Sequence, residues 1–148
     1  MAAVVVDDHL LRDVLTGERS DDLGGLASTM ATTGLWLFRL SRAWADPERR
    51  GNLTAPVAAL SPEQQVTFLE QLVALPSGIE VLHLRDLAWS MARLQHRHRR
   101  DGRQLSAAMV EALAAAHVLD ADIAVSRRDV GPNLRAAAER DGITFHVL

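Results

Sequence analysis

Short apolar segments alternate along the chain with longer stretches of helical spacing. Residues 4–6 form a continuous apolar run that predicts a buried strand, residues 79–84 alternate and predict a second strand, and residues 122–126 and 143–148 predict two more. Between them, apolar side chains recur every three or four residues, which is typical of helices packed on a sheet. Short strands separated by helices predict a mainly parallel sheet covered by helices on both faces.

The best-marked helix start lies at Ser61. Pro62 follows it and Gln64 stands three residues after it, which is the pattern of a capping box with proline in the first turn. Further helices are predicted over residues 8–15, 87–94, 105–118 and 132–140, and residues 16–22 are predicted to form a loop.

The stretch from residue 23 to residue 45 is harder to interpret. Its apolar residues recur at roughly helical spacing, but Gly24, Gly25 and Gly34 interrupt the pattern. The sequence therefore predicts either one broken helix or two helices, which end before Asp46-Pro47.

Composition is ordinary for a globular protein and limits the possible chemistry. The 148 residues are 48% hydrophobic and 24% charged, and we expect them to form a single domain, residues 1–148. There is no cysteine, which excludes disulfides, thiol catalysis and thiolate-bound zinc. No apolar stretch approaches the roughly 18 residues that span a bilayer, so we expect a cytoplasmic protein without membrane contact.

Two acidic residues follow the first predicted strand directly. Val4, Val5 and Val6 lead into Asp7 and Asp8, and ligands bind at the carboxyl edge of parallel sheets. One reading makes Asp7 a metal ligand. The alternative is that one of the two aspartates caps the following helix, since aspartate is a favoured N-cap residue.

This order of elements resembles the PIN-like domain, and most closely the compact bacterial ribonuclease toxins of toxin–antitoxin pairs. The resemblance is carried by Val4-Val5-Val6-Asp7 with Leu10-Leu11, and by Leu105-Ser106 with the helix and strands that follow to the end of the chain. It implies a three-layer α/β/α fold with a short, mainly parallel sheet of four to five strands. It also implies a homodimer, an antitoxin or other protein partner, and RNA as substrate.

The resemblance further implies three or four acids that hold Mg²⁺ or Mn²⁺ at the sheet edge for phosphodiester hydrolysis. Asp7 matches the first acid, whereas Arg39 stands at the second position. In the window of the third position the chain has Met109 and Val110, with Glu111 just beyond. Because an offset along a helix rotates the side chain away, we expect Glu111 at the surface unless it joins the site.

The fourth acid would follow the third predicted strand in a Thr-x-Asp pattern. Ser126 fits the threonine, Arg128 takes the acid position, and Asp129 comes one residue later. The candidate catalytic residues are therefore Asp7, Asp129 and Glu111, and the candidate metal ligands are Asp7 and Asp129.

A basic segment follows the predicted helix at residues 87–94. Its arginines could bind RNA phosphates, or they could complement the dipole at the end of a helix. The candidate RNA-binding residues are Arg93, Arg97, Arg99, Arg100 and Arg103.

Three functional hypotheses follow. The first is a PIN-like protein derived from Mg²⁺-dependent ribonucleases, with weak or lost activity, that binds RNA or protein and in which Arg39 pairs with Asp7. The second is an active Mg²⁺- or Mn²⁺-dependent ribonuclease toxin with converging carboxylates. The third is an unrelated doubly wound domain, which would hold a small ligand in an enclosed apolar pocket.

Overall fold

The computed structural model describes residues 3–18 and 23–148. Its strands are β1 (Ala3–Val6), β2 (Thr29–Thr32), β3 (Ile79–Val81), β4 (Asp122–Val125) and β5 (Phe145–Val147). Its helices are α1 (Asp8–Leu15), α2 (Gly34–Ala45), α3 (Ala55–Ala58), α4 (Pro62–Val73), α5 (Leu84–Arg100), α6 (Ala107–Leu119) and α7 (Pro132–Arg140). Single 3₁₀ turns cover Pro47–Arg49 and Arg127–Asp129.

The five strands form one sheet in the order β3-β2-β1-β4-β5, and every neighbouring pair is parallel. The central strand β1 pairs Val5 with Ala31 of β2 and with Ile123 of β4. The predicted α/β class, with a short parallel sheet, is confirmed.

Side chains that alternate between the two faces of the sheet divide the apolar core between two layers of helices. Val5 and Ile123 face the layer that includes α5, α6 and α7. Val4, Val6 and Ala124 face the opposite layer, which contributes side chains of α1, α2 and α4. Successive side chains of a strand point to opposite faces, so one sheet builds both cores.

Helix α6 has a long buried segment at its centre. Seven consecutive residues, from 110 to 116, are buried, and four of them are alanine. Small side chains allow the helix to lie close to both the sheet and the helices α5 and α7.

Several predicted boundaries are confirmed. Helix α1 covers residues 8–15 as predicted, and α4 begins at Ser61 with both hydrogen bonds of the capping box. Residues 19–22 of the predicted loop lie outside the described part of the chain.

The sequence prediction missed strand β2 and assigned this region to one or two helices. The segment Thr29-Met30-Ala31-Thr32 is too short to show a period of two, and Met30 also fits a helical period. Its extended backbone is stabilised by pairing with β1 on one side and β3 on the other. These contacts depend on the tertiary structure, so the local sequence does not reveal them.

The placement of α6 predicts a large difference between two positions on that helix. Leu113 is fully buried, whereas Val118 is 56% exposed. We expect Leu113→Ala to lower the free energy of unfolding by about 2–5 kcal/mol. Val118→Ala should change it by no more than about 0.5 kcal/mol. Urea denaturation followed by circular dichroism measures both, and equal losses would contradict this packing.

Candidate functional site

The carboxyl ends of β1 and β4 lie side by side, and the polar residues that follow them form an open cleft. A cavity of about 280 Å³ lies there. Its polar lining consists of Asp7, Arg39, Ser106, Arg127, Arg128 and Asp129. The cleft is therefore lined by three arginines and two aspartates, and it is not the enclosed apolar pocket expected for the unrelated small-ligand domain.

Asp7 connects the two sides of this cleft. One of its carboxyl oxygens accepts a hydrogen bond from the Leu10 amide at 2.9 Å and so caps α1. The other accepts from the Ser126 amide at the end of β4, also at 2.9 Å. The side chain is 1% exposed, and burial raises the pKa of Asp7 to about 7 although both amides lower it. The capping interpretation is confirmed for Asp7.

Asp8 is fully buried and has one carboxyl oxygen without a hydrogen bond in the described part of the chain. Its Oδ1 accepts from the His9 amide at 3.0 Å, whereas its Oδ2 is buried and has no hydrogen-bond donor among the described residues. The Nε atom of Arg39 lies 3.2 Å from Oδ2, which is an ion-pair distance without hydrogen-bond geometry. Burial raises the pKa of Asp8, and the charge of Arg39 offsets only part of this effect.

Arg39 bridges two carboxylates. Besides its contact with Asp8, its Nη2 donates to Asp129 Oδ2 at 3.3 Å. The prediction that Arg39 pairs with Asp7 was wrong. The capping role of Asp7 directs its oxygens to backbone amides, so the next residue, Asp8, meets the guanidinium.

His9 joins the same cluster, and the sequence prediction did not include it. Its Nδ1 lies 3.3 Å from Arg12 Nη1, and because arginine can only donate, Nδ1 is the acceptor. Burial lowers the pKa of His9, although Asp8 opposes this shift. The sequence signal for including His9 was its position in the run Asp7-Asp8-His9, directly after a predicted strand.

Among the described residues, Asp8, His9 and Asp129 could together hold a metal ion. One ligand atom from each lies within 4.8 Å of the others. The unbonded Asp8 Oδ2 suits such a role, but the donor set has only two carboxylates and one imidazole, whereas Mg²⁺ prefers oxygen ligands. The guanidinium of Arg39 already supplies the positive charge between the carboxylates. The arrangement with Arg39 in place therefore does not fit a Mg²⁺ ion.

Glu111 contacts the start of α2. The expected surface position was wrong, since this residue is 1% exposed. Its Oε1 accepts from the Leu35 amide at 3.3 Å, in the first turn of α2, and lies 3.3 Å from where a Cβ on Gly34 would be. Burial raises the pKa of Glu111, and the two amides of that turn lower it. The contacts of Glu111 are thus with the start of α2.

Two non-acidic residues fill the remaining acid positions of the PIN-like pattern. Met109 and Arg128 both line the cleft, and Ser106 caps α6 by accepting from the Met109 amide at 3.3 Å. Asp129 is exposed and ends the 3₁₀ turn that begins at Arg127.

The basic segment divides into two sets. Arg97 donates to Asp141, and Arg103 donates to both His98 and Asp101, so these two arginines are bound within the protein. The other set is exposed on α5 and has no ion-pair partner among the described residues; it consists of Arg93, Arg99 and Arg100.

A search of solved structures finds a matching fold. One chain of the PIN-domain toxin–antitoxin complex FitAB, solved with a bound IR36 DNA fragment, superposes with a TM-score of 0.56. The match covers 97% of this chain and 94% of that one, at 15% sequence identity. The protein has the PIN-like fold.

No family model matches the sequence, and no curated protein matches it either. The PIN-like assignment therefore rests on the three-dimensional fold. No helix in the described part of this PIN-like chain is long and apolar enough to cross a membrane.

The buried carboxyl of Asp7 predicts a pH effect. Because its pKa rises from 3.8 to about 7 on folding, the folded chain binds more protons than the unfolded chain between these values. The contribution of Asp7 to stability should therefore fall as pH rises through this window. A carbon-13 NMR titration of the carboxyl measures the pKa directly, and a midpoint near 3.8 in the folded protein would refute the prediction.

The contact of Glu111 with α2 predicts a structural penalty. Glu111→Ala should lower the free energy of unfolding by about 1–3 kcal/mol, because it leaves a buried amide without an acceptor. Glu111→Gln keeps an acceptor oxygen and should have a smaller effect. Thermal denaturation of both variants at neutral pH tests this, and equal losses would argue against the hydrogen bond.

Proposed function

We propose that this protein is a PIN-like RNA-binding module in which the ancestral metal-nuclease activity is weak or lost. The observation that carries the proposal is the position of Arg39, whose guanidinium bridges Asp8 and Asp129. It stands where the family pattern has an acid, and its charge takes the place of a metal ion.

The charges of the cleft support an anionic ligand. Three arginines line it against Asp7 and Asp129, and Asp7 has a pKa of about 7, so it is partly protonated at neutral pH. Arg127 and Arg128 are exposed, and neither has a side-chain ion pair in the described structure. Guanidinium groups bind phosphate oxygens in forked geometry, which suits an RNA backbone.

An active ribonuclease is the second candidate, and one observation favours it. Asp8 Oδ2 is buried without a hydrogen bond and lies in a group with His9 and Asp129. If Arg39 moved aside, these residues could hold Mn²⁺, which accepts both carboxylate and imidazole ligands. The proposed catalytic set of Asp7, Asp129 and Glu111 would then need revision, since Glu111 contacts the start of α2.

We also propose that the protein forms a homodimer and binds an antitoxin-type partner. They are supported by the fold shared with a chain of FitAB. A hollow between α2 and α4 offers an apolar surface lined by Trp44, Leu69, Leu72 and Val73, and Val73 is largely exposed.

Substitution of Arg39 separates the first two candidates. We expect the wild-type protein to show no saturable Mn²⁺ binding by calorimetry at millimolar ion, and Arg39→Gln to gain it. Arg39→Glu, which restores an acid, should bind more tightly still. A unit charge at about 4 Å contributes about 4 kcal/mol at an effective dielectric constant of 20, so a gain of at least about tenfold is expected.

Arg42→Gln is the matched control, because Arg42 lies on the same helix but stacks over Phe38. It should leave metal binding unchanged. Tight Mn²⁺ binding by the wild type, together with RNA cleavage, would overturn the non-catalytic proposal and favour the ribonuclease. Failure of Arg127→Gln to weaken RNA binding would argue against the cleft as the RNA site.

A further inference from the structure

Helix α5 concentrates positive charge on a protein that is acidic as a whole. It carries five of the sixteen arginines and a single acid, Asp86, whereas the whole chain has a net charge of −3. The helix thus has a net charge of +4 with neutral histidines, and the rest of the chain has −7. A local surface of this kind can bind anions that the whole molecule would repel.

One exposed face of α5 carries a stripe of three arginines, one tryptophan and one histidine. Arg85, Trp89, Arg93, His96 and Arg100 are spaced by four, four, three and four residues. At about 100° per residue they fall within about 80° of one another, along about 22 Å of helix. All five are exposed, while Leu87 and Leu94 on the opposite side are buried.

Trp89 lies within this stripe and is 75% exposed. Among the described residues it stacks on no aromatic ring and meets no cation, in contrast to Trp44, which contacts both Phe68 and Arg50. A large exposed ring beside unpaired arginines can stack on a base while the arginines bind phosphates.

A hollow opens beside the stripe. It has a volume of about 420 Å³ and lies between α5 and α6, lined by Ser90, Arg93, Leu94, His96, Arg97 and His117. Arg93 and His96 belong to both the stripe and the hollow. Its lining combines apolar surface with the basic side chains of Arg93 and Arg97, which suits the base and the phosphate of one nucleotide unit.

We infer that this face of α5 binds single-stranded nucleic acid, with one base stacked on Trp89 and backbone phosphates on Arg93 and Arg100. The surface is separate from the cleft at the ends of β1 and β4, since no residue lines both cavities. An unpaired strand is favoured over a duplex because an aromatic platform needs free bases. A membrane surface is disfavoured because Trp89 is the only large apolar side chain in the stripe.

The test uses the full chain and a fluorescent oligouridylate, with oligodeoxythymidylate, duplex RNA and phosphatidylserine vesicles as further probes. Trp89→Ala should weaken oligouridylate binding by about tenfold or more, and Trp89→Tyr should recover most of the loss because it keeps a stacking ring. Arg93→Gln should reduce the slope of log affinity against log salt by about 0.7. Arg135→Gln is the charge-matched control, since Arg135 pairs with Glu139 on α7, and it should change neither quantity.

The outcomes separate this inference from the proposed cleft function. The α5 site is supported if oligouridylate binding survives in the double variant Arg127→Gln, Arg128→Gln but is weakened in Trp89→Ala. This holds even if the cleft binds nothing. Wild-type affinity in Trp89→Ala overturns the inference, and so does duplex RNA bound as tightly as the single strand or a Trp89 response to vesicles alone. Binding of either the ribose or the deoxyribose strand supports it, and the preferred strand identifies the natural ligand.

Discussion

The carboxyl group of Asp7 holds together two segments that are 119 residues apart. It accepts one amide from the first turn of α1 and one from the residue after β4. These bonds fix the direction in which both chains leave the sheet. The positions of Asp8, His9 and the 3₁₀ turn that ends at Asp129 all follow from this constraint. A side chain without two acceptor oxygens could not satisfy both amides, and a buried amide without an acceptor is unfavourable.

The same constraint explains why Arg39 meets Asp8 and Asp129. Once both oxygens of Asp7 accept backbone amides, the next carboxylate along α1 is the one directed at α2. Its buried Oδ2 would be costly as an isolated charge, and the guanidinium of Arg39 compensates for part of that cost. A positive group is therefore needed at this point, and in this chain a side chain provides it. Arg39 and the two aspartates that it bridges therefore depend on one another.

Much of the fold, but little of the candidate site, could be predicted from the sequence. Strands β1 and β4 were predictable because their apolar runs are continuous, and β5 because its apolar residues alternate with polar ones. Helix α4 was predictable because Ser61 and Gln64 mark its start. Strand β2 was not predictable, since only its neighbours distinguish Thr29–Thr32 from a helical segment. Glu111 was misplaced because no local pattern reveals that a carboxylate on α6 accepts a hydrogen bond from the first turn of α2. The pairing of Arg39 depends on which oxygen of which aspartate is already occupied, which is a property of the folded backbone.

Charge distribution links the two basic surfaces of the molecule. The cleft contains arginines that balance or exceed its acids, and α5 carries a net positive charge on a molecule of net charge −3. A protein with this overall charge repels polyanions at long range, so attraction must come from groups close to the bound phosphate. With a Debye length of about 8 Å at physiological ionic strength, contacts on α5 are screened from the acidic remainder. Binding at such a surface depends on short-range contacts, namely guanidinium forks and aromatic stacking, and the side chains suited to make them, Arg93 and Trp89, share one face of a helix.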